Sequence, residues 1–164
     1  MSSFNRRQFC ALGLGFLAMG CGFTPVYGPG GGGAALIDAV AVDAPKTRQD
    51  YLFVRTMEER LGRASNPRYG LSYKIDFGEE AVAISSSNVT TRYNVIGRVT
   101  YALRDLQTGE VAASGKTQSF TSYSASGSTV ATQAAQDDAG ERLMIILADD
   151  VTTRLGAALT APAS

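Results

Sequence analysis

The fold is decided by one stretch, Val89–Arg104, which reads VTTRYNVIGRVTYALR. Odd-numbered positions from Tyr93 to Leu103 are apolar, aromatic or glycine, whereas most even-numbered positions are polar. Ile96 and Ala102 are the exceptions. A period of two places successive side chains on opposite faces of a β-strand, so this stretch predicts a long strand with one buried face.

The residues downstream predict a hairpin partner for this strand. The segment Asp105–Val111, DLQTGEV, reads as a loop, and a further strand follows it to about Tyr123. Phe120 is out of phase with Val111 and Ala113, the other apolar marks of that strand. This mismatch predicts a bulge or a change of register between them.

Two strands are also predicted upstream. Apolar residues alternate with other residues from Tyr69 to Phe77, which is typical of a strand with one buried face. The run AALIDAVAVD, Ala34–Asp43, is largely apolar, and it predicts a first strand buried on both faces. Pro45 ends that strand because proline has no N–H to donate.

Two helices complete the pattern. Thr47, followed three residues later by Asp50, resembles a capping box, and the helix that begins there stops at Gly62. Its apolar stripe consists of Val54, Met57 and Leu61, with Phe53 beside it. A second, longer helix begins after Ser128 or Thr129. Its apolar positions recur every four residues: Ala131, Ala135, Ala139, Leu143, Leu147, Val151 and Leu155, with Ile146 beside them.

The order of elements is therefore β-α-β-β-β-α. It predicts an α+β fold, with a small, mostly antiparallel sheet of about four strands and both helices packed on one face. At 164 residues the chain has the length of one domain. We place this α/β sandwich at residues 34–161 and a disordered tail at residues 162–164.

The N-terminus has the layout of an export signal. Arg6 and Arg7 precede an apolar stretch, Phe9–Met19, which is too short to cross a bilayer as a helix. NRRQF, Asn5–Phe9, resembles a twin-arginine export motif. The same two arginines also suit the positive start of an ordinary signal, so both export routes stay open.

Cysteine usage points to a lipid anchor. LAMGC, ending at Cys21, resembles a bacterial lipobox, although Ala18 and Met19 depart from its usual residues. We predict a lipoprotein signal peptide at residues 1–20 and attachment of lipid to Cys21. The following segment, up to residue 33, is then the lipid anchor and a flexible glycine tether, and it holds the protein to a membrane surface.

Composition excludes several function classes. Without Arg6 and Arg7 the chain has 13 basic and 15 acidic residues, so it lacks the basic surface of a general nucleic-acid binder. It contains no histidine, which removes histidine-based acid–base catalysis and histidine metal sites. The adjacent carboxylates Glu79-Glu80, Asp137-Asp138 and Asp149-Asp150 are typical of a solvated face. We predict no enzymatic activity, no cofactor and no metal.

The segment CGFTPVYG, Cys21–Gly28, resembles the start of the LptE family of lipopolysaccharide-assembly lipoproteins, and the element order is also that of this family. The resemblance implies a lipid-anchored protein on the periplasmic side of the Gram-negative outer membrane. It also implies that the protein plugs the lumen of an LptD-type β-barrel, assists assembly of that barrel, and binds lipopolysaccharide during delivery to the outer leaflet.

The candidate lipopolysaccharide contacts are the basic residues of the two-strand ribbon: Arg92, Arg98, Arg104 and Lys116. Asp105 and Glu110 are the only acidic residues between Ala81 and Gln136, so the ribbon is locally positive. Arginine suits fork-like contacts with phosphate. An ordinary solvated strand face explains any one of these residues equally well. The alternative function is that of an auxiliary or structural envelope lipoprotein of another transport complex.

Overall fold

The computed structural model describes residues 31–84 and 90–160, so the predicted signal peptide, Cys21 and the C-terminal tail lie outside the described residues. The regular elements are β1 (Val40–Val42), α1 (Arg48–Leu61), β2 (Tyr69–Ile84), β3 (Thr90–Asp105), β4 (Val111–Ser124) and α2 (Thr129–Thr160). A short 3-10 turn, Ala34–Leu36, precedes β1. The predicted order β-α-β-β-β-α is confirmed.

The strands form one four-stranded sheet in the order β1-β2-β3-β4. β1 pairs with β2 in parallel, with Val40 opposite Tyr69. This direction is possible because α1 carries the chain back to the end of the sheet at which β1 begins. The two remaining pairings, β2 with β3 and β3 with β4, are antiparallel. The predicted mostly antiparallel sheet is therefore confirmed, with one parallel pair at its edge.

The first strand is much shorter than predicted. The expectation of a strand over residues 34–43, buried on both faces, is wrong, because only Val40–Val42 pair with β2. Asp38 adopts a positive φ of 52°, which turns the backbone away from an extended path. The N–H of Asp38 donates to the carbonyl oxygen of Leu61 at 2.7 Å, so the chain before β1 is tied to the end of α1.

The limits of α1 follow the sequence signals. Thr47 Oγ1 accepts from the N–H of Asp50, and a carboxylate oxygen of Asp50 accepts from the N–H of Thr47, which confirms the capping box. Gly62 ends the helix with φ of 78°, a conformation that favours glycine. A Cβ at Gly62 would also lie 2.0 Å from the Oδ1 of Asp38.

α2 buries a wider surface than its sequence stripe predicts. Ser128 caps it by accepting from the N–H of Ala131 at 3.3 Å. The stripe is buried from Ala139 onward, but Ile146 is 43% exposed, so its predicted place in the packed face is wrong. A second buried row consists of Gly140, Met144, Ala148, Thr152 and Gly156. The helix needs two rows because it contacts both the sheet and α1.

Both helices pack on the same face of the sheet, as predicted. Phe53 of α1 contacts Tyr73 of β2, with ring centroids 5.1 Å apart. α2 crosses β3 at Gly97, where a Cβ would lie 2.7 Å from the Cδ1 of Leu147. Glycine is thus required there for the close approach of helix and strand.

A register change is present between Val111 and Phe120, as predicted, but it lies before Ala113 and not between Ala113 and Phe120. Leu103 lies opposite Ala113, but Arg104 lies opposite Val111, so Ala112 is an extra residue in β4. From Ala113 to Phe120 the pairing with β3 is regular, so the alternation of the strand places Phe120 on the sheet face away from the helices, where its side chain is 62% exposed.

The end of the predicted tether lies against α2. Gly31, Gly32 and Gly33 are buried, and the N–H of Gly32 donates to the Oγ1 of Thr160 at 2.7 Å. The glycine run therefore meets the domain at the C-terminal end of α2.

Candidate functional site

The sheet surface opposite α1 and α2 is the candidate site. We call it the open face; it carries the even-numbered residues of β2 up to Glu80, of β3 from Arg92, and of β4 from Ser114. The odd-numbered residues of the same strands face the helices, since successive side chains of a strand alternate. No described helix covers the open face.

All four basic residues predicted as lipopolysaccharide contacts lie on the open face and are exposed. Arg92, Arg98 and Arg104 are six residues apart along β3, which separates neighbours by about 20 Å. Lys116 lies opposite Thr100, diagonal to Arg98 at a typical distance of about 7–8 Å. The structure thus brings Arg98 and Lys116 together, whereas Arg92 and Arg104 lie toward the two ends.

Lys74 of β2 completes a group that the sequence did not reveal. It lies opposite Thr100 from the other side, with its Nζ 3.0 Å from the Oδ1 of Asp76. Arg98 lies between Asp76 and Gln118, and it donates to the Oε1 of Gln118 at 3.4 Å.

We call Lys74, Arg98 and Lys116 the central cation cluster; with Asp76 beside it, its net charge is +2. The alternation of β2 assigns Lys74 to the polar side, but only the strand register shows its neighbours. Across the described open face there are five cations and two carboxylates, Asp76 and Glu80.

Asp105 of the hairpin does not neutralise this surface. Asp105 accepts from the N–H of Gln107 at 2.8 Å, from the N–H of Thr108 and from the guanidinium of Arg68. The bond from the Gln107 backbone is the main reason why the pKa of Asp105 lies below its usual value. The carboxylate is thus occupied within the turn that joins β3 to β4.

An apolar pair lies beside the central cation cluster. Ile96 and Phe120 are directly opposite each other, and Gly78 leaves space on the β2 side of Ile96. A cavity of about 420 Å³ is lined by Asn94, Ile96, Gln118, Ser119 and Phe120. A second cavity, of about 230 Å³, lies on the other side of Ile96 and includes Arg98. The open face therefore offers positive charge and apolar surface side by side.

The paired carboxylates have structural partners instead of a shared site. Asp137 and Asp149 of α2 form ion pairs with Arg48 and Arg60 of α1, at 2.9 and 2.7 Å. Their neighbours Asp138 and Asp150 pair within α2, with Arg142 and Arg154. Glu79 faces the helices and accepts from the hydroxyl of Tyr123 and the amide of Gln136, whereas Glu80 lies on the open face. Among the described residues no group of acidic side chains could hold a metal ion.

Two tyrosines on the helix side have strongly raised pKa values. Burial, followed by the charge of Glu79, raises the pKa of Tyr123 to about 12. Burial, followed by the charges of Asp50 and Asp43, raises the pKa of Tyr73 to about 12. Both hydroxyls therefore stay protonated at neutral pH.

None of the helices in the described ranges is long and apolar enough to span a membrane.

The fold is that of a group of bacterial lipoproteins. A candidate lipoprotein from Caulobacter crescentus CB15 matches with a TM-score of 0.66 and 24% identity, over 80% of this chain and 98% of that chain. Rare lipoprotein B from Shewanella oneidensis matches with a TM-score of 0.55 and 13% identity, over 73% and 92% of the two chains. At these identities the likeness is one of fold.

The sequence itself identifies the family. The family described as LptE, lipopolysaccharide-assembly, matches residues 37–155, so the chain belongs to the LptE family. This membership assigns the protein to lipopolysaccharide assembly. Among curated proteins, none matches the sequence significantly.

Proposed function

We propose that the open face binds lipopolysaccharide during its assembly into the outer membrane. The observation that carries the proposal is the position of the central cation cluster next to the apolar pair Ile96 and Phe120. Lipid A combines phosphate groups with acyl chains, so one surface with both properties matches both parts of the molecule. Arg98 can form two parallel hydrogen bonds with a phosphate, while lysines act as point charges.

Neutralising two cations of the cluster tests this proposal. The double variant Arg98→Gln/Lys116→Gln is expected to bind lipopolysaccharide about tenfold more weakly or worse, because charge-assisted hydrogen bonds contribute about 1.5–3 kcal/mol each. Binding of labelled lipopolysaccharide to the purified protein measures the effect.

The matched control is Arg63→Gln/Arg142→Gln, which removes the same charge from exposed positions outside the sheet. Equal weakening by both double variants would show that net charge, and not the open face, governs binding.

We further propose that the domain sits as a plug inside an LptD-type outer-membrane barrel and assists assembly of that barrel. Family membership supports this role. The serine-rich open face, with Ser72, Ser114, Ser122 and Ser124, suits the polar interior of such a barrel.

A photo-crosslinking residue placed at Phe120 in cells tests the contact, with Ile146 on the outer side of α2 as the control position. We expect barrel adducts from the Phe120 position and a loss of assembled barrel when the lipoprotein is depleted. Adducts with an inner-membrane transporter, together with an unaffected barrel, would support the alternative of an auxiliary lipoprotein of another complex.

The proposed membrane attachment is through lipid on Cys21, which directs the protein to the outer membrane. Two or three acyl chains hold a protein firmly, whereas one chain holds it only marginally. Cys21→Ser is expected to yield a protein without lipid that leaves the membrane fraction, as mass spectrometry and fractionation will show. Cys10→Ser is the control, because Cys10 lies in the segment predicted to be removed.

A further inference from the structure

β2 is an edge strand over most of its length. β1 pairs with it only as far as Leu71, whose carbonyl oxygen accepts from the N–H of Asp43 at 3.0 Å. At the other end of β2, the register with β3 becomes irregular after Ala81. We call the regular stretch between these limits, Tyr73–Ala81, the free edge.

The backbone groups that face outward along the free edge can be assigned. The N–H of Tyr69 donates to the carbonyl oxygen of Ala39, and the carbonyl oxygen of Leu71 accepts from Asp43, so odd-numbered residues of β2 direct their backbone groups away from β3. On the free edge these residues have no backbone partner on that side among the described residues. Such a row of unpaired donors and acceptors is a template for another strand. It belongs to Tyr73, Ile75, Phe77, Glu79 and Ala81.

The helix side of the free edge is apolar and has room for further side chains. Tyr73, Ile75 and Phe77 line a cavity of about 690 Å³, and its other wall is the connection from β1 to α1. This volume lies in the range of ligand pockets, about 300–1,000 Å³. Phe77 is 38% exposed, so part of its ring has no packing partner. A strand added here can bury apolar side chains in this cavity.

The open-face side of the free edge is polar. Lys74 and Asp76 offset each other, since the Nζ of Lys74 lies 3.0 Å from the Oδ1 of Asp76. Glu80 is exposed and forms no ion pair among the described residues. Opposite charges directly across two strands stabilise their pairing, so a basic residue suits the position opposite Glu80. The matching segment therefore alternates, with apolar residues toward the cavity and polar residues on the open face.

We propose that the free edge pairs with an extended segment of the barrel partner, which adds a fifth strand to the sheet. This inference rests on the proposed role of the domain as a plug, because the polypeptide that surrounds a single plug is that of the barrel. Backbone groups that lose water inside the barrel need new partners, and the added strand supplies them. The segment lies outside the closed wall, since each strand of the wall is already paired on both sides.

β4 is the other edge strand of the sheet and provides an internal control. The N–H of Ala125 donates to the carbonyl oxygen of Thr91 in β3, so even-numbered residues of β4 direct their backbone groups outward. On the helix side α2 lies directly against β4, because the hydroxyls of Thr117 and Thr121 donate to Asp150 and to the carbonyl oxygen of Ala139. The β4 edge thus has the same outward backbone groups, but α2 closes its helix side.

Amide hydrogen exchange in the unsubstituted protein tests the pairing directly. In the lipoprotein alone the outward amides of Ile75 and Phe77 should exchange quickly, because they have no acceptor. In the complex with the barrel, purified in mild detergent, we expect both to exchange at least about tenfold more slowly, and the outward amides of Lys116 and Gln118 on β4 to change much less. Unchanged exchange at Ile75 and Phe77, or equal slowing on both edges, overturns the proposal.

A proline substitution tests whether the pairing holds the complex together. Phe77→Pro removes an outward N–H and leaves the pairing of β2 with β3 intact, as proline on an edge strand allows. We expect several-fold less barrel to be recovered with this variant in a pull-down. Phe77→Ala removes the same ring but keeps the N–H, and Ser114→Pro removes an outward N–H from β4. Both controls should retain most of the barrel, and thermal unfolding of all three variants verifies their fold.

The outcomes separate this proposal from the plug role itself. Recovery of barrel with Phe77→Pro equal to that with Phe77→Ala, or an equal loss with Ser114→Pro, overturns the pairing. If the Phe120 position still gives barrel adducts in that case, the plug role stands without the added strand. If the unsubstituted lipoprotein recovers no barrel, the plug role and the pairing are both refuted.

Discussion

The two faces of the sheet are built from the same strands but serve different purposes. Toward the helices, Val95, Val99 and Leu103 of β3 are fully buried. On the open face, Arg98 and Arg104 of the same strand are exposed. Because successive side chains of a strand point to opposite faces, the residues of one face can suit packing while those of the other face carry charge. Stability should therefore depend on the odd-numbered residues, and binding on the even-numbered ones.

The largest effect is expected from truncating a side chain on the covered side. Leu147→Ala removes a fully buried side chain that packs over Gly97, and should lower the free energy of unfolding by about 2–5 kcal/mol. Chemical denaturation measures the change. Ile146→Ala is the neighbouring control and should cost much less, since Ile146 is 43% exposed. Similar losses in both variants would mean that α2 does not pack on the sheet by this face.

Adding a methyl group to a glycine on each face gives the sharpest comparison. Gly97→Ala forces a Cβ against Leu147 and Leu143, and should destabilise the protein by about 1–3 kcal/mol. Gly78→Ala meets no atom within 4 Å and should be neutral or slightly stabilising. Thermal unfolding of the two variants compares them directly, and equal effects would contradict the difference between the faces.

High pH should destabilise the protein through a tyrosine on the sheet face that the helices cover. The raised pKa of Tyr123 means that the folded state keeps its proton while the unfolded chain ionises near pH 10. The contribution of Tyr123 to the free energy of unfolding is thus fully present below about pH 10, and it is lost as pH rises through about 12. Tyr123→Phe should reduce the tyrosinate absorbance that develops near pH 12 and flatten the alkaline loss of stability. Tyr51→Phe, on the exposed side of α1, is the control and should leave that late absorbance in place.

The smallest effect on stability is expected at the open face. Arg98→Gln and Lys116→Gln should each change the free energy of unfolding by less than about 0.5 kcal/mol, because both side chains are exposed and neither forms an ion pair among the described residues. Equilibrium denaturation measures this change. A loss of more than about 1 kcal/mol would show that the cations stabilise the sheet, and any loss of binding would then need another explanation.

Local sequence signals predicted the helices and strands well. The predictions failed where the burial of a side chain depends on a segment that is distant in the sequence. The capping box at Thr47, the stop at Gly62 and the alternation of β3 all act within a few residues, so sequence alone reveals them. The predicted length of the first strand was wrong because the 3-10 turn and the positive φ of Asp38 depend on contact with the end of α1. The predicted burial of Ile146 was wrong because α2 packs against both the sheet and α1 and therefore buries two rows of side chains. The positions of these rows are set by both neighbours.

The sequence by itself determined the order of the elements, the two faces of each long strand and the positive charge of the ribbon. Periodicity, caps and charge are properties of neighbouring residues, so they can be read along the chain. The tertiary structure alone decided that Lys74 joins Arg98 and Lys116, that Ile96 meets Phe120, and that β2 keeps a free edge beyond Leu71. These features depend on strand register and on where β1 ends, which are set by contacts between residues far apart in the chain.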